Sequence, residues 1–455
     1  MNKNQWLWIA LGVVNIIITL SIPSTFDSGD SILHYLQAHQ GLKTPHYFMN
    51  MWSKPVFMLM AFPFAVWGWI GMQIFNSLCV LGSAFAIKNI MDNYQMNGWY
   101  GVFLCYFSQS FLLVQSSGLT EPLFMLFLVW IVWSEIQDKS ILAFTLLSFL
   151  PFIRSEGYII ILLFFAYSLF QKRLKYLPFI GIGTFCFGIL GLFYFNDFLW
   201  MFHQNPYAGI ETKYGHGSAM HYIEQLPYII GLPIFILFVL GIFRFFNNFK
   251  SSIDLKELFL IYGVSLGYIA AHSIFWTYGL FHSFGLTRVL IVIIPFLIFI
   301  AYRGIEWICC AFHFVTQKVV LLFLGLIIFI FPFTSSPMAL SWENDIQLEH
   351  KQLLMNKVNL WLMNHQLDKY PTYTNAYTLP FVSKRIIDNE NEILELNQIK
   401  KNRPPKSHDL IVWDSYFAMT DAQIDQDYIE KKLNAKPLKS FMNDKKYKIV
   451  IYQIP

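Results

Sequence analysis

From Trp6 to Phe333 the chain returns repeatedly to apolar runs that reach, or nearly reach, the length needed to cross a bilayer. A crossing helix takes about 20 mostly apolar residues, because its backbone N–H and C=O groups find no water in a hydrocarbon layer of roughly 30 Å and must bond one another. This criterion gives about eleven candidate spans: Trp6 to Ile22, Ile70 to Ile90, Trp99 to Gln115, Glu121 to Glu135, Ile141 to Ile153, Gly157 to Gln171, Tyr176 to Phe195, Pro227 to Phe246, Leu258 to Trp276, Thr287 to Tyr302 and Lys318 to Phe333. Polarity is confined to one place. The chain is 56% hydrophobic and 13% charged, yet 31 of its charged side chains follow Leu340. The expected fold is an α-helical polytopic membrane protein over residues 1–340, with a small C-terminal α/β domain over residues 341–455.

Lys and Arg collect in loops that remain cytoplasmic. With the amino terminus inside, Lys3, Lys88, Lys139, Lys172, Arg173, Lys175, Arg244, Lys250, Lys256, Arg303 and Lys318 fall inside, and only Lys43, Lys54, Arg154, Lys213 and Arg288 fall outside. An odd number of spans puts the C-terminal domain outside too. The first run ends in Ser21-Ile22-Pro23 without a small-x-small cleavage site, which reads as an uncleaved span. The segment from Lys54 to Trp69, broken by Pro55, Pro63 and Gly68, is expected to lie along the outer membrane face or re-enter it. Glu343 to Leu367 has the pattern of an amphipathic helix. Thr372 to Asn375, Leu410 to Asp414 and Tyr447 to Ile454 read as strands, with a helix from Ala422 to Leu433. All five cysteines lie in apolar segments and serve as small filler. A formal charge of +4, spread over short loops, argues against nucleic acid as a partner.

Chemistry concentrates in the outer loop 23–53, which begins Pro23-Ser-Thr-Phe-Asp27-Ser-Gly-Asp30-Ser-Ile-Leu-His34-Tyr35. Two carboxylates this close, with Gly29 allowing a tight bend, can converge on one hydroxyl or one cation. A plainer role for Asp30 is to cap a helix from Ser31 to Gln40.

The arrangement of a first span, an acidic outer loop, a helix and then Lys54-Pro55 resembles the GT-C superfamily of polytopic membrane glycosyltransferases. Further stretches carry the likeness: Ser117-Gly-Leu-Thr-Glu121-Pro, Arg154-Ser-Glu156-Gly, and Gly285-Leu-Thr-Arg288 with Pro295 are similar to motifs of bacterial, mannosyltransferase-like members. The resemblance covers most of residues 1–335. It implies a sugar, a hexose and in some members mannose, taken from a polyprenyl-phosphate carrier, with Asp27 or Asp30 as the catalytic carboxylate. Many family members place two acids side by side or one apart. Here two residues separate them, which leaves their division of labour open. A divalent cation also stays open, because two carboxylates alone do not define a metal site.

Independently of any family, such a transfer needs a base for the acceptor proton and cations for the departing phosphate. Lys54, Arg154 and Arg288 are the outer cations nearest to helix ends. An Arg at mid-span costs about 2.5–3.5 kcal/mol on insertion scales, so one kept near a boundary has an anionic partner or reaches the headgroups. For Arg288 the plain role is snorkelling; for Arg154 it is an ion pair with Glu156 or Glu121; for Glu121 it is a cap before Pro122. His216 and His221, in an outer loop with Asn205-Pro-Tyr207 and Tyr214, together with His272, Trp276, Tyr278 and His282, are candidate sugar-binding groups or ordinary loop and belt residues. The expected protein is an integral glycosyltransferase of a bacterial cytoplasmic membrane. Its partners would be a polyprenyl-phosphate-linked sugar donor, a glycan, lipid or protein acceptor, and the bilayer. The competing reading is a transporter or flippase of lipid-linked saccharides, against which stands the lack of mid-span charges and of repeated halves.

Overall fold

The computed structural model describes residues 3–206, 214–248, 254–310, 314–401 and 403–455. Tyr207, Lys213 and Lys250 of the loops discussed above lie outside the described residues. In chain order the main helices are α1 (Lys3–Ser21), α2 (Asp30–Gln40), α3 (Pro55–Ala65), α4 (Trp69–Asn93), α5 (Gly98–Tyr106), α6 (Gln109–Val114), α7 (Glu121–Ile136) and α8 (Ser140–Leu147). They continue with α9 (Gly157–Phe170), α10 (Gly181–Phe195), α11 (His221–Ile230), α12 (Leu232–Asn248), α13 (Val264–Tyr278), α14 (Ile294–Cys309), α15 (Phe314–Ile330) and α16 (His350–Asn364). Among the described residues, five continuous helical stretches are long and apolar enough to cross a membrane: Asn4–Ser21, Trp69–Asn93, Leu174–Phe195, Leu255–Tyr278 and Thr287–Cys309. Others are apolar but shorter.

Two expected spans are broken. Trp99 to Gln115 is divided between α5 and α6, where Ser108 begins a new helix and its hydroxyl donates to Ile229 O at 3.3 Å. Pro227 to Phe246 is interrupted at Gly231, whose φ of +84° suits glycine and turns the chain between α11 and α12. The Lys54 to Trp69 segment does contain a helix, α3. Its Phe57, Met58 and Ala61 are buried, while Leu59 and Trp67 beyond its end are exposed, the two-faced character of a helix lying at an apolar boundary.

Packing within the helical part relies on small residues and a few polar links. Asn15 in α1 donates to Ser77 Oγ in α4 at 2.7 Å, a buried bond with no water to compete for it. α12 and α14 touch backbone to backbone: a β-carbon on Gly241 would stand 2.0 Å from Ile300 O, and one on Gly304 would stand 2.1 Å from Leu237 O. Charges form two separate belts. Arg173 with Glu135 and Asp138, and Arg303 with Glu257 and Glu306, lie at one end. Glu121 opens the helix that Glu135 nearly closes, and Arg288 leads into the stretch containing Arg303. At 1.5 Å per residue, about 20 Å separates these charges from the second belt.

Residues after α16 build a mixed sheet of order β2-β1-β3-β5-β4, from β1 (Thr372–Tyr373), β2 (Ile393–Leu394), β3 (Leu410–Asp414), β4 (Lys436–Met442) and β5 (Lys448–Gln453). β1 runs parallel to β2 and β3, and β5 antiparallel to β3 and β4. The central β3 is buried throughout. The expected helix from Ala422 to Leu433 is instead a single wide turn at Tyr428–Lys432. Of the expected amphipathic face in α16, Leu354, Val358 and Leu362 are buried and Leu353 is exposed.

Candidate active site

The acidic loop is built around Asp27. Its Oδ1 accepts from Gly29 N at 2.9 Å and Ser31 N at 3.0 Å, satisfying donors at the start of α2 that no helical carbonyl can reach. Capping therefore falls to Asp27, not to Asp30 as the sequence suggests, and Asp30 is the first residue of α2 with its carboxylate turned elsewhere. Ser31 fixes the loop from beneath: its hydroxyl donates to Thr25 O at 2.5 Å and accepts from Gly118 N at 2.8 Å. Only glycine fits at 118, because a β-carbon there would lie 2.2 Å from Ser31 O.

Arg288 closes the arrangement. One guanidinium nitrogen pairs with Asp27 Oδ2 and the other with Asp30 Oδ2, while Nε stands 3.4 Å from Glu121 Oε1. Glu121 is fully buried and forms an ion pair with Arg154 Nη1 at 2.8 Å; Arg154 Nη2 donates to Glu156 Oε1 at 2.6 Å, and Nη1 donates to Thr120 Oγ1 at 2.8 Å. Lys54, with a left-handed φ of +67°, donates from Nζ to Ser155 Oγ at 2.9 Å. The seven ionisable groups Asp27, Asp30, Lys54, Glu121, Arg154, Glu156 and Arg288 thus meet at one end of the helical part. Arg288 turns inward instead of snorkelling, and Glu121 does more than cap α7.

Burial and charge set the proton affinities here. Burial pushes Asp27 up to about 6, against the pull of Arg288 and its two backbone donors. Asp30 is also raised by burial, but Arg288 outweighs this and leaves its carboxyl below the usual range. Burial takes Lys54 down to about 7, with Arg154 adding to the effect and Glu156 opposing it. His34, stacked on Trp52 at 4.8 Å, is driven down to about 3 by burial and stays neutral. Glu156 is held at about 2, because Arg154 overcomes its desolvation. Although desolvation is the first influence on both aspartates, their side chains remain 26% and 43% accessible. Both carboxylates are thus held by protein and still reached by water.

The histidines divide. His272 is buried between Tyr268 and Tyr222, at ring distances of 4.6 and 5.6 Å. His221 Nε2 is 2.8 Å from Gly285 O, three residues before Arg288, so it braces that segment. His216 and Tyr278 are exposed and are not brought into the charge cluster. Trp276 fills the space that β-carbons on Gly217 and Gly285 would occupy, joining two loops.

Sequence reasoning missed two contributions. Ser155, between two singled-out charges, holds Lys54. The C-terminal residues also reach the acidic loop: Gln352 Nε2 donates to Thr25 Oγ1 at 2.7 Å, Thr25 Oγ1 donates to Asp27 O at 2.7 Å, and the Phe417 ring lies 3.4 Å from where a Gly29 β-carbon would be.

No protein-family model matches the chain, and no curated protein matches it. Solved structures do. The crystal structure of ArnT from Cupriavidus metallidurans bound to undecaprenyl phosphate aligns over 99% of this chain and 98% of its own, at 11% identity and a TM-score of 0.64. The apo ArnT structure from the same organism aligns over 98% of each chain, at 10% identity and the same TM-score. With the charge cluster at one end of its helices and a sheet-bearing C-terminal part packed on that end, this chain has the fold of ArnT along essentially its whole length.

Proposed function

We propose that the chain is a GT-C-type membrane glycosyltransferase that moves a hexose from a polyprenyl-phosphate carrier to an acceptor hydroxyl at the outer face of a cytoplasmic membrane. The observation that carries this reading is the fork of Arg288 onto both Asp27 and Asp30: one cation held between two water-accessible carboxylates, with Arg154 and Lys54 beside it. The fold shared with an ArnT captured with undecaprenyl phosphate supports a carrier of that chemistry.

In this reading the carrier phosphate is drawn to Arg288 and Lys54, whose positive charges stabilise the negative charge that grows as the sugar–phosphate bond breaks. Asp30 is the general base. Asp27 is committed through Oδ1 to two backbone donors, whereas Asp30 is more accessible and loses its main acidifying partner once a phosphate engages Arg288. Its carboxylate takes the acceptor hydroxyl's proton as the oxygen attacks the anomeric carbon from the face opposite the phosphate, which inverts the configuration. Glu121 and Glu156 hold the two arginines in place. Residues 1–340 form the catalytic domain and 341–455 an outer domain, with the amino terminus inside.

The test is transfer by the purified chain in lipid bilayers, from polyprenyl-phosphoryl hexoses with mannose first, scored by mass spectrometry. Asp30→Asn should lower transfer at least about a hundredfold while the protein still inserts and folds. A flippase of lipid-linked saccharides would instead keep moving its cargo in that variant, and that result would overturn the proposal.

A further inference from the structure

The C-terminal residues do more than cover the helical part. β3 ends in Asp414, a buried carboxylate whose Oδ1 accepts from Tyr416 N at 2.9 Å and Phe417 N at 2.6 Å. Ser415 is tied to Lys448 by backbone and hydroxyl bonds of 2.9 and 3.0 Å. A turn so anchored holds its two aromatic rings in fixed directions. Phe417 presses on Gly29, between the two aspartates, and Tyr416 packs edge-on against Phe417 at 4.9 Å while remaining exposed. Lys351 Nζ stands 3.9 Å from the Tyr416 ring centre. From the helical part, Tyr214 lies within electrostatic reach of Asp30, Tyr416 and Asp421.

These rings stand against the loop that carries Asp27 and Asp30, the side left to an acceptor if the phosphate is drawn to Arg288 and Lys54. Aromatic faces favour rigid, partly apolar surfaces, and a pyranose offers one: a face of C–H bonds rimmed by hydroxyls that Tyr214 and Asp421 can bond. We infer that Tyr416 and Phe417 form an acceptor subsite that takes a pyranose ring, so that the acceptor is a saccharide. That it is the acceptor's subsite rests on the transferase reading above; that a sugar binds there does not.

The experiment is saturation-transfer difference NMR on the full chain in detergent, using a panel of methyl hexopyranosides and methyl N-acetylhexosaminides at millimolar concentration. Ring C–H protons of at least one glycoside should receive saturation from the wild-type protein. Tyr416→Leu, which keeps bulk without the ring, should weaken binding roughly tenfold, and Tyr416→Trp should restore it. Thermal unfolding in the same detergent checks that the Leu variant is folded. Absence of transfer to every glycoside in the wild type, or an unaltered signal in a folded Tyr416→Leu, overturns the subsite. Loss of the signal in Tyr416→Leu, combined with sugar transfer that survives Asp30→Asn, would retire the catalytic reading and leave the sugar site standing.

Discussion

Arg288 and Asp27 are joined by an ion pair across 261 positions of sequence, and the same guanidinium holds Asp30. A single cation thereby pairs with both acids and occupies the position between them. In the proposed transferase a carrier phosphate would compete for that guanidinium, so donor arrival and release of the base would be the same event. Donor should therefore bind before acceptor: initial-rate and dead-end inhibition patterns should be ordered, with an acceptor analogue uncompetitive towards donor. Random addition would contradict this coupling.

The two aspartates should fail differently. Asp30→Asn removes the base and should lower kcat by about 10²–10⁴ with little change in thermal stability. Asp27→Asn retains an oxygen that can cap α2, so its chief loss is the ion pair with Arg288; Asp27→Ala removes the cap too and should cost about 1 kcal/mol more. Turnover and unfolding midpoints measured on all three variants decide this, and equal kcat losses in Asp27→Asn and Asp30→Asn would undo the assignment.

Lys54 predicts a pH dependence of donor binding. Its amine is charged below about 7 and neutral above it, so the attraction for phosphate is present on the acid side and fades as pH rises through that value. Carrier-phosphate affinity should fall from pH 6 to pH 9 in the wild type, while Lys54→Arg, which stays charged, should flatten the profile. Titration calorimetry with a short-chain polyprenyl phosphate gives the readout.

Because Arg288 fills the position between Asp27, Asp30 and Glu121, a divalent cation has no evident task there. Chelation with EDTA should leave turnover within about twofold. Arg288→Ala leaves carboxylates without their partner and should cost roughly 3–5 kcal/mol in stability as well as activity.

Gln352 tests the link from the C-terminal residues to the chemistry. Its amide reaches Asp27 O through Thr25, so Gln352→Ala should lower kcat while the donor KM changes little. Thr25→Val should reproduce the loss, and the double variant should be no worse than either single one, as expected for two members of one chain of bonds.

The membrane character, the acidic loop and the cations near it were legible because charge beside apolar helix ends is costly and therefore conspicuous in sequence. Partnership was not legible. Nothing local to Arg288 indicates that it faces Asp27 and Asp30 when lipid phosphate would satisfy it equally, and Asp27 and Asp30 both look like caps until the loop's path is known. Gly231 advertised a break that hydropathy averaging smooths over. β4 was missed because Lys436–Met442 is an exposed edge strand containing Pro437, with no apolar alternation to detect. The role of Tyr416 and Phe417 depends on the sheet carrying them to Gly29, a long-range placement that no window of sequence contains.

The missing side chain at residue 118 has a consequence for how such an enzyme could change its substrate. With the carbonyl of Ser31 seated against that bare backbone, the height of the acidic loop above the helices is set by main chain on main chain, and no rotamer change can raise or lower it. Variants selected for a bulkier or smaller sugar would therefore be expected to carry their changes on the facing aromatic wall, leaving this fixed floor untouched.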